Sequence, residues 1–220
     1  MTESEQELLR RTAAGLGVAL TGSQLEGLLT YLDELCLWNR RTNLTGLRSR
    51  KRMVVELLAD ALVPAPRLPP SARLLDVGSG AGLPGIPLKI VRPDLSIDLL
   101  EPSLKRHHFL KQAIRLLRME HVQALRGRVE DSAGLLRPCY DVVTARAVWG
   151  LRQAVEMCAP LVAKGGMLVG FAGSNAGAEL TGARASLAGA GLHLEDAVDY
   201  RLPGTGGDRR TFFFRKGAIP

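Results

Sequence analysis

LLDVGSGAGLPGIPLKI, residues 74–90, puts four glycines (Gly78, Gly80, Gly82 and Gly85) within eight positions, directly after an apolar run. A strand that ends this way delivers a loop without side chains at the place where a bound group must approach the backbone. In an open α/β sheet that place, beyond the carboxyl end of the first strand, is where ligands bind. The helix that follows aims its N-terminus at them and favours an anionic group. Nucleotides, dinucleotides and adenosyl cofactors all satisfy this description.

The neighbouring residues narrow the choice. No GK[ST] follows, which excludes a P-loop. A G-x-G-x-x-G spacing exists from Gly80 to Gly85, but the first glycine after the strand is Gly78, and counted from there position 83 is leucine. The dinucleotide reading is therefore weak. The form D-V-G-S-G-A-G, with Asp76 near the strand end and Gly78, Gly80 and Gly82 in the turn, suits S-adenosylmethionine (AdoMet) better. Glu101 ends the next strand, about 20 residues on, where an acid accepts hydrogen bonds from ribose hydroxyls. Nicotinamide proteins share that acid, so it does not discriminate. Arg128-Val129-Glu130, after the third strand, can hold an adenine edge, while Asp131 next to it reads equally as a helix cap.

Outward from the loop, strands and helices alternate. Strands are expected at ARLLDV, LSIDLLE, VQALRG, YDVVTAR and GMLVGFA. Helices are expected at PGIPLKIVR, SLKRHHFLKQAIRLLRM (capped by Ser103), LRQAVEMCAPLVA and NAGAELTGARASLAGAG. This alternation means a parallel sheet with helices on both faces. LHLEDAVDYRL and RRTFFFRK have no helix between them and should form an antiparallel hairpin at one edge. By fold analogy this is the α/β, seven-stranded, Rossmann-like architecture of class I AdoMet methyltransferases.

The chain before the loop reads differently. Leu25, Leu28, Leu29, Leu32 and Leu35 recur at helical period, with Ser23 and Glu26 as a capping box. A further helix is expected from Lys51 to Leu62, with Val54, Val55, Leu58 and Leu62 inward. Pro64, Pro66, Pro69 and Pro70 then break the chain. The expected division is an N-terminal helical extension, 1–66, and an AdoMet-binding domain, 67–220.

Composition bounds the rest. With 220 residues and 46% hydrophobic content, the chain suits one compact α/β unit with a small appendage. No apolar stretch of about 18 residues and no secretory signal is present. Cys36, Cys139 and Cys158 are far apart and lack ligand spacing, so neither a disulfide framework nor a metal site is expected, and a cytoplasmic setting is. The 29 Lys and Arg exceed the 22 Asp and Glu, giving a net charge of +7. Arg40, Arg41, Arg48, Arg50, Lys51 and Arg52 fall between Asn39 and Met53 without an acid. Lys105, Arg106, Lys111, Arg115 and Arg118 surround His107 and His108. Such clusters read as a solvated helix face or as a polyanion-binding surface; two of them, with Arg209-Arg210, favour nucleic acid.

The combination of WNRRTNLTG (Trp38 to Gly46), LLDVGSGAGLPGIPLKI, LLEPSLKRHHFLKQAIRLL, GRVED and YDVVTARAV resembles successive motifs of the RsmG (GidB) family, the bacterial 16S ribosomal RNA guanine-N7 methyltransferases. The resemblance runs from about Tyr31 to the C-terminal RRTFFFRKG. It implies AdoMet contacts at Gly78, Leu83, Val129, Glu130 and Arg146, with Glu101 near the ribose and Arg146 as the catalytic residue, where methyl donor and target base meet. The alternative for Arg146 is a strand-end ion pair to Asp141 or Asp76. Asn43, in the WNxxxNLT stretch, is substrate-side or structural. The family's H-x-x-D-S-L stretch reads Leu57-Leu58-Ala59-Asp60-Ala61-Leu62 here, and its Lys-Gly after the fifth strand reads Ala172-Gly173. Arg40, Arg41, Arg48, Arg50, Lys51, Arg52, Lys105 and Arg106 are the expected RNA contacts.

The chemistry is also read from what is missing. Attack by a pyrimidine carbon needs a cysteine after the fourth strand, and Cys139 precedes it. Methylation of an exocyclic amine commonly uses [DN]PP[YFW], where this chain has Ala145-Arg146-Ala147-Val148. Guanine N7 carries an in-plane lone pair and no proton, so its methylation needs alignment rather than a base. Trp149 is the candidate stacking surface, and Trp38 reads as core. The expected partner is 16S rRNA or the small ribosomal subunit, bound by a monomer. The alternatives are a small-molecule methyltransferase and a non-catalytic RNA-binding assembly factor.

Overall fold

A computed structural model describes residues 3–131 and 140–217; Cys139 lies outside the described residues. The chain begins with α1 (Glu5–Gly15), α2 (Gly22–Thr42) and the single turn α3 (Arg50–Met53), which continues as a π-helix over Val54–Ala59. Then follow β1 (Arg73–Val77), α4 (Gly85–Val91), β2 (Ser96–Leu100), α5 (Leu104–Leu116), β3 (Val122–Leu125) and β4 (Tyr140–Ala145). The last elements are α6 (Leu151–Cys158), β5 (Val162–Ala172), α7 (Ala176–Gly189), β6 (Leu192–Tyr200) and β7 (Arg209–Lys216).

The seven strands form one sheet in the order β3-β2-β1-β4-β5-β7-β6, with β7 antiparallel to both of its neighbours. The expected edge hairpin is therefore present, with β7 inserted between β5 and β6. Alternate residues of each strand serve opposite faces, as the two-residue period requires. Leu74, Ile97, Leu99, Val142, Met167, Val169 and Phe213 share one core with the N-terminal helices, α4 and α5. Leu75, Val77, Val143, Leu168, Phe212 and Phe214 pack with α6 and α7 on the other.

The N-terminal helices thus form part of one covering layer. The proline stretch is no break in packing either: the Arg92 guanidinium, just past α4, donates to the carbonyls of Ala65, Leu68 and Pro69 at 2.9–3.0 Å. Two local expectations are corrected. The capping box of α2 is made by Thr21 and Gln24, not Ser23 and Glu26, because the helix starts at Gly22. The expected helix over 51–62 is helical to Ala61, but after one α-helical turn it widens into the π-helix, a form that recurs at functional positions, before Asp60 and Ala61 return to α. Ser103 occupies the N-cap of α5, but its side chain makes no capping bond.

Candidate functional site

The glycine loop leaves β1 at the centre of the sheet. Gly78, Gly80 and Gly82 have φ of +67°, +58° and +88°, a region that disfavours any side chain. At Gly78 an added Cβ would also run into the methyl groups of Val148, so the loop after β4 lies directly on this glycine. Behind the loop, Asp76 is fully buried. Its two oxygens accept from the Gly85 N–H at 3.1 Å and the Thr144 hydroxyl at 2.8 Å, tying the start of α4 and strand β4 to β1. Burial pushes its carboxyl up to about 6, against the pull of those hydrogen bonds. On the other side the Tyr31 hydroxyl of α2 donates to the Ala81 carbonyl.

In front of the loop lies a cavity of about 310 Å³. Its wall brings together Gly78, Glu101, Val129, Glu130, Arg106 and Trp149. Glu101 is buried, and its oxygens accept from the Gly80 N–H at 2.9 Å and the Ser103 N–H at 2.8 Å. A carboxylate has about four lone-pair sites, so two remain for hydroxyl donors. Leu100, Pro102 and Val129 add apolar surface. A glycine-lined wall, an acceptor carboxylate with spare lone pairs and an apolar slot fit an adenosyl group with its ribose.

A second cleft, about 640 Å³, adjoins the first and shares Ala147 and Trp149 with it. Arg146 belongs to this cleft. Its guanidinium meets Asp60 Oδ2 at 3.2 Å and donates to the carbonyls of Glu56 at 2.9 Å and Leu57 at 3.4 Å, both in the π-helix. It also lies over the Phe171 ring, 5.9 Å from the centroid. Asp60 in turn accepts from the Tyr200 hydroxyl at 2.8 Å and from Arg209 at 3.3 Å. Burial, with the negative charge of Asp60 beside it, pushes the Tyr200 phenol upward.

The sequence-derived site is therefore divided. Gly78, Glu101, Val129 and Glu130 line the first cavity, joined by Arg106, which was expected on RNA. Asp76 stands behind the loop, and Gly82 packs on Ile86. Gly80 turns the loop and donates to Glu101, and Leu83 packs into the core. Arg146 neither lines the first cavity nor pairs with Asp141 or Asp76; its partner is Asp60, from the N-terminal helices. Asp131 donates through its N–H to the Arg128 carbonyl in a turn.

The basic clusters also divide. Arg50 is bound to Glu5 and Asp33, both at 2.8 Å, joining α1, α2 and α3. Arg52 is exposed and pairs with Glu56 at 2.6 Å. Arg40, Arg41, Arg48, Lys51 and Lys105 are exposed. Asn43 adopts a left-handed conformation at the C-cap of α2, and Asn39 bridges Thr45 and Leu47, so the WNRRTNLTG stretch builds a helix end. Trp38 packs edge-on against Phe109, with ring centroids 5.7 Å apart. Sequence reasoning did not single out Tyr31, Glu56, Tyr200 or Arg209 (as one residue apart from its pair), and it named Asp60 only for its place in a motif.

Comparison with known proteins adds the last observation. A model of the GidB family, described as rRNA small subunit methyltransferase G, matches residues 24–201. The ribosomal RNA small subunit methyltransferase G of Geobacter sp. is 38% identical over 209 residues, covering 95% of this chain and 96% of its own. That of Chloroflexus aggregans is 38% identical over 207 residues, covering 93% and 87%. Among solved structures, M. jannaschii TYW2 in complex with AdoMet is similar with a TM-score of 0.57 at 16% identity, over 71% of this chain and 74% of that one. Precorrin-6y C5,15-methyltransferase from Geobacter metallireducens has a TM-score of 0.53 at 18% identity, over 74% and 88%. At such identities these structures speak for the class I methyltransferase fold.

Proposed function

Because the chain belongs to the GidB family, rRNA small subunit methyltransferase G, we propose that it transfers a methyl group from AdoMet to N7 of a guanine in 16S rRNA. The observation that carries this reading beyond family membership is the cavity in front of the glycine loop, with Glu101 at its wall. Bound there, AdoMet supplies a methyl group on a positively charged sulfur.

The chain's own residues do the positioning. Gly78 lets the backbone of the β1 loop come close, and Glu101 has acceptor sites left for ribose hydroxyls. Val129 and Leu100 offer apolar faces to the adenine, and Glu130 lies at its edge. Asp76 and Tyr31 hold the loop from behind. Guanine N7 has no proton to lose, so no side chain needs to act as a base, and alignment alone contributes on the order of 7–11 kcal/mol. Arg146 is a positioning residue in this reading: through Asp60 and the π-helix carbonyls it fixes the end of β4, from which Ala147, Val148 and Trp149 reach the cavity.

The exposed Arg40, Arg41, Arg48, Lys51 and Lys105 supply phosphate contacts. Among the described residues no helix is long and apolar enough to cross a membrane, and we place the protein's work in the cytoplasm, as a monomer. The test is transfer of labelled methyl to small ribosomal subunits from cells that lack this protein, with the product mapped to a nucleotide. One guanine modified at N7 is expected. Absence of transfer by a protein that still binds AdoMet would sink the RNA reading and favour a small-molecule acceptor.

A further inference from the structure

We propose that the groove at the C-terminal end of α2, formed by Leu37, Trp38, Arg41 and Thr42, binds one unpaired nucleotide of the RNA that flanks the methylated guanine, a proposal that rests on the methyltransferase reading above. The course of α2 puts this groove within reach of the cofactor cavity. The Gln24 side chain donates to the Val91 carbonyl at the end of α4, and Tyr31 donates to Ala81 in the loop before α4. The helix therefore runs antiparallel to α4, and its last turns extend past the glycine loop. Trp38 follows Tyr31 by seven residues, about 10 Å at 1.5 Å per residue.

The groove has the chemistry of a single-strand platform. Its volume is about 250 Å³, below the roughly 300–1,000 Å³ of pockets that enclose drug-sized ligands and suited to one base laid against a wall. Trp38 supplies aromatic surface and the half-exposed Leu37 an apolar one. The indole is held in place: it packs edge-on against Phe109, and its N–H is already spent on Glu34 at 2.8 Å. What Trp38 offers a ligand is therefore its π surface, which accepts any base. The Thr42 hydroxyl donates to the Trp38 carbonyl at 2.8 Å, and its lone pairs remain for a base amino group or a 2′-hydroxyl.

Charge commits the groove to a polyanion and sets the side from which it comes. On the β6–β7 side the arginines are answered by acids: Arg201 by Asp208, Arg210 by Asp199 and Arg215 by Glu195. Arg41, in the groove, has no ion pair among the described residues. Neither do Arg40 beside it, nor Lys105 and Lys111 on α5, the helix whose Phe109 packs on Trp38. A strand held by its phosphates on these cations passes the groove on its way to the cofactor cavity, whose wall includes Arg106.

The test separates stacking from charge, because a phosphate contact contributes to the salt slope of RNA affinity and a stacked base does not. W38L keeps an apolar side chain against Phe109 and removes the ring face. It is expected to lower affinity for unmethylated small subunits by about tenfold, the scale of one lost stacking surface, with salt slope and AdoMet affinity unchanged. Wild-type affinity in folded W38L would overturn the proposal, as would a lowered slope or an equal loss of AdoMet affinity. A second measurement does not depend on that variant. In W149F protein Trp38 is the one tryptophan left. An unstructured RNA decamer should quench its emission saturably, and inorganic polyphosphate, which has the charge without the bases, should not. A decamer that leaves the emission unchanged, or polyphosphate that quenches equally, would overturn the placement. A wild-type protein that methylates no RNA would sink the functional reading, while the quenching still decides whether the groove takes a base.

Discussion

The Tyr31 hydroxyl, on the second helix of the chain, donates a hydrogen bond of 2.5 Å to the carbonyl of Ala81 inside the glycine loop. Both residues are buried, so no water replaces a lost donor. In Y31F the carbonyl is left unsatisfied at a cost of about 1–3 kcal/mol. We expect a lower unfolding midpoint in urea and weaker AdoMet binding by titration calorimetry, because the same bond steadies the loop. Unchanged affinity in a destabilised protein would confine Tyr31 to folding.

Gly78 is held at φ +67° with Val148 against it. G78A should cost AdoMet affinity more than tenfold, roughly 1.4 kcal/mol or more. V148A in the same chain should restore part of it by making room, leaving only the backbone strain. Calorimetry on the single and double variants measures the partition, and additive losses would contradict the contact.

Asp76 gives a pH signature of definite sign. Its carboxyl is pushed up to about 6 in the fold from an ordinary 3.8. The folded state therefore binds the proton more tightly than the unfolded chain, and the stability linked to this group is present in full below pH 3.8 and lost as pH rises to about 6. The linked change is about 3 kcal/mol. The difference in unfolding free energy between wild type and D76N should shift in that direction between pH 4 and about 6, then level off. A flat difference would show that burial does not govern this carboxyl.

Arg146 and Asp60 are 12% and 2% exposed in their side chains and meet at 3.2 Å. Breaking such a pair from one side typically costs about 3–5 kcal/mol. R146A and D60A should each destabilise on that scale. The double variant should cost less than the sum, since removing both leaves fewer uncompensated charges. Strict additivity in urea denaturation would mean that the pair is not coupled.

The surface arginines are separable by salt. Losing one phosphate contact lowers the slope of log affinity against log salt by about one unit. R40A and R41A should show this in RNA binding without changing stability. R50A should instead lower the unfolding midpoint, because Arg50 joins Glu5 and Asp33.

Much of the architecture was readable because its signals are local. The glycine spacing after an apolar run, the alternation of strands with helices and the helix-free link between β6 and β7 each lie within a few residues. What could not be read depends on distance. Asp60 stands 86 residues before Arg146 in the chain, and nothing in the spacing of either marks them as partners. The nearer acids, Asp76 and Asp141, were the natural alternatives, but one is buried behind the loop and the other accepts from the Arg73 N–H. The π-helix was hidden for a related reason. VVELLA is apolar on nearly every side, and nothing in its spacing marks the wider turn whose Glu56 and Leu57 carbonyls Arg146 reaches. Arg50 illustrates the same dependence on distance: a residue in a run of bases without acids in sequence acquires its acids from two other helices.

Leu9, on the first helix, and Phe213, on the last strand, belong to one core, and β6 touches the sheet only through β7, which is made after it. This arrangement sets the order of events during synthesis. Until Arg209–Lys216 has left the ribosome, β6 has no neighbour to pair with, and the layer begun by the first helices lacks part of its opposite wall. Contacts between residues far apart in the chain slow folding, and the edge of β5 that pairs with β7 stays uncovered until β7 arrives, an exposed edge of the kind that favours aggregation. Substitutions that weaken the FFF stretch of β7 should therefore reduce the yield of folded protein in cells beyond their effect on the finished molecule.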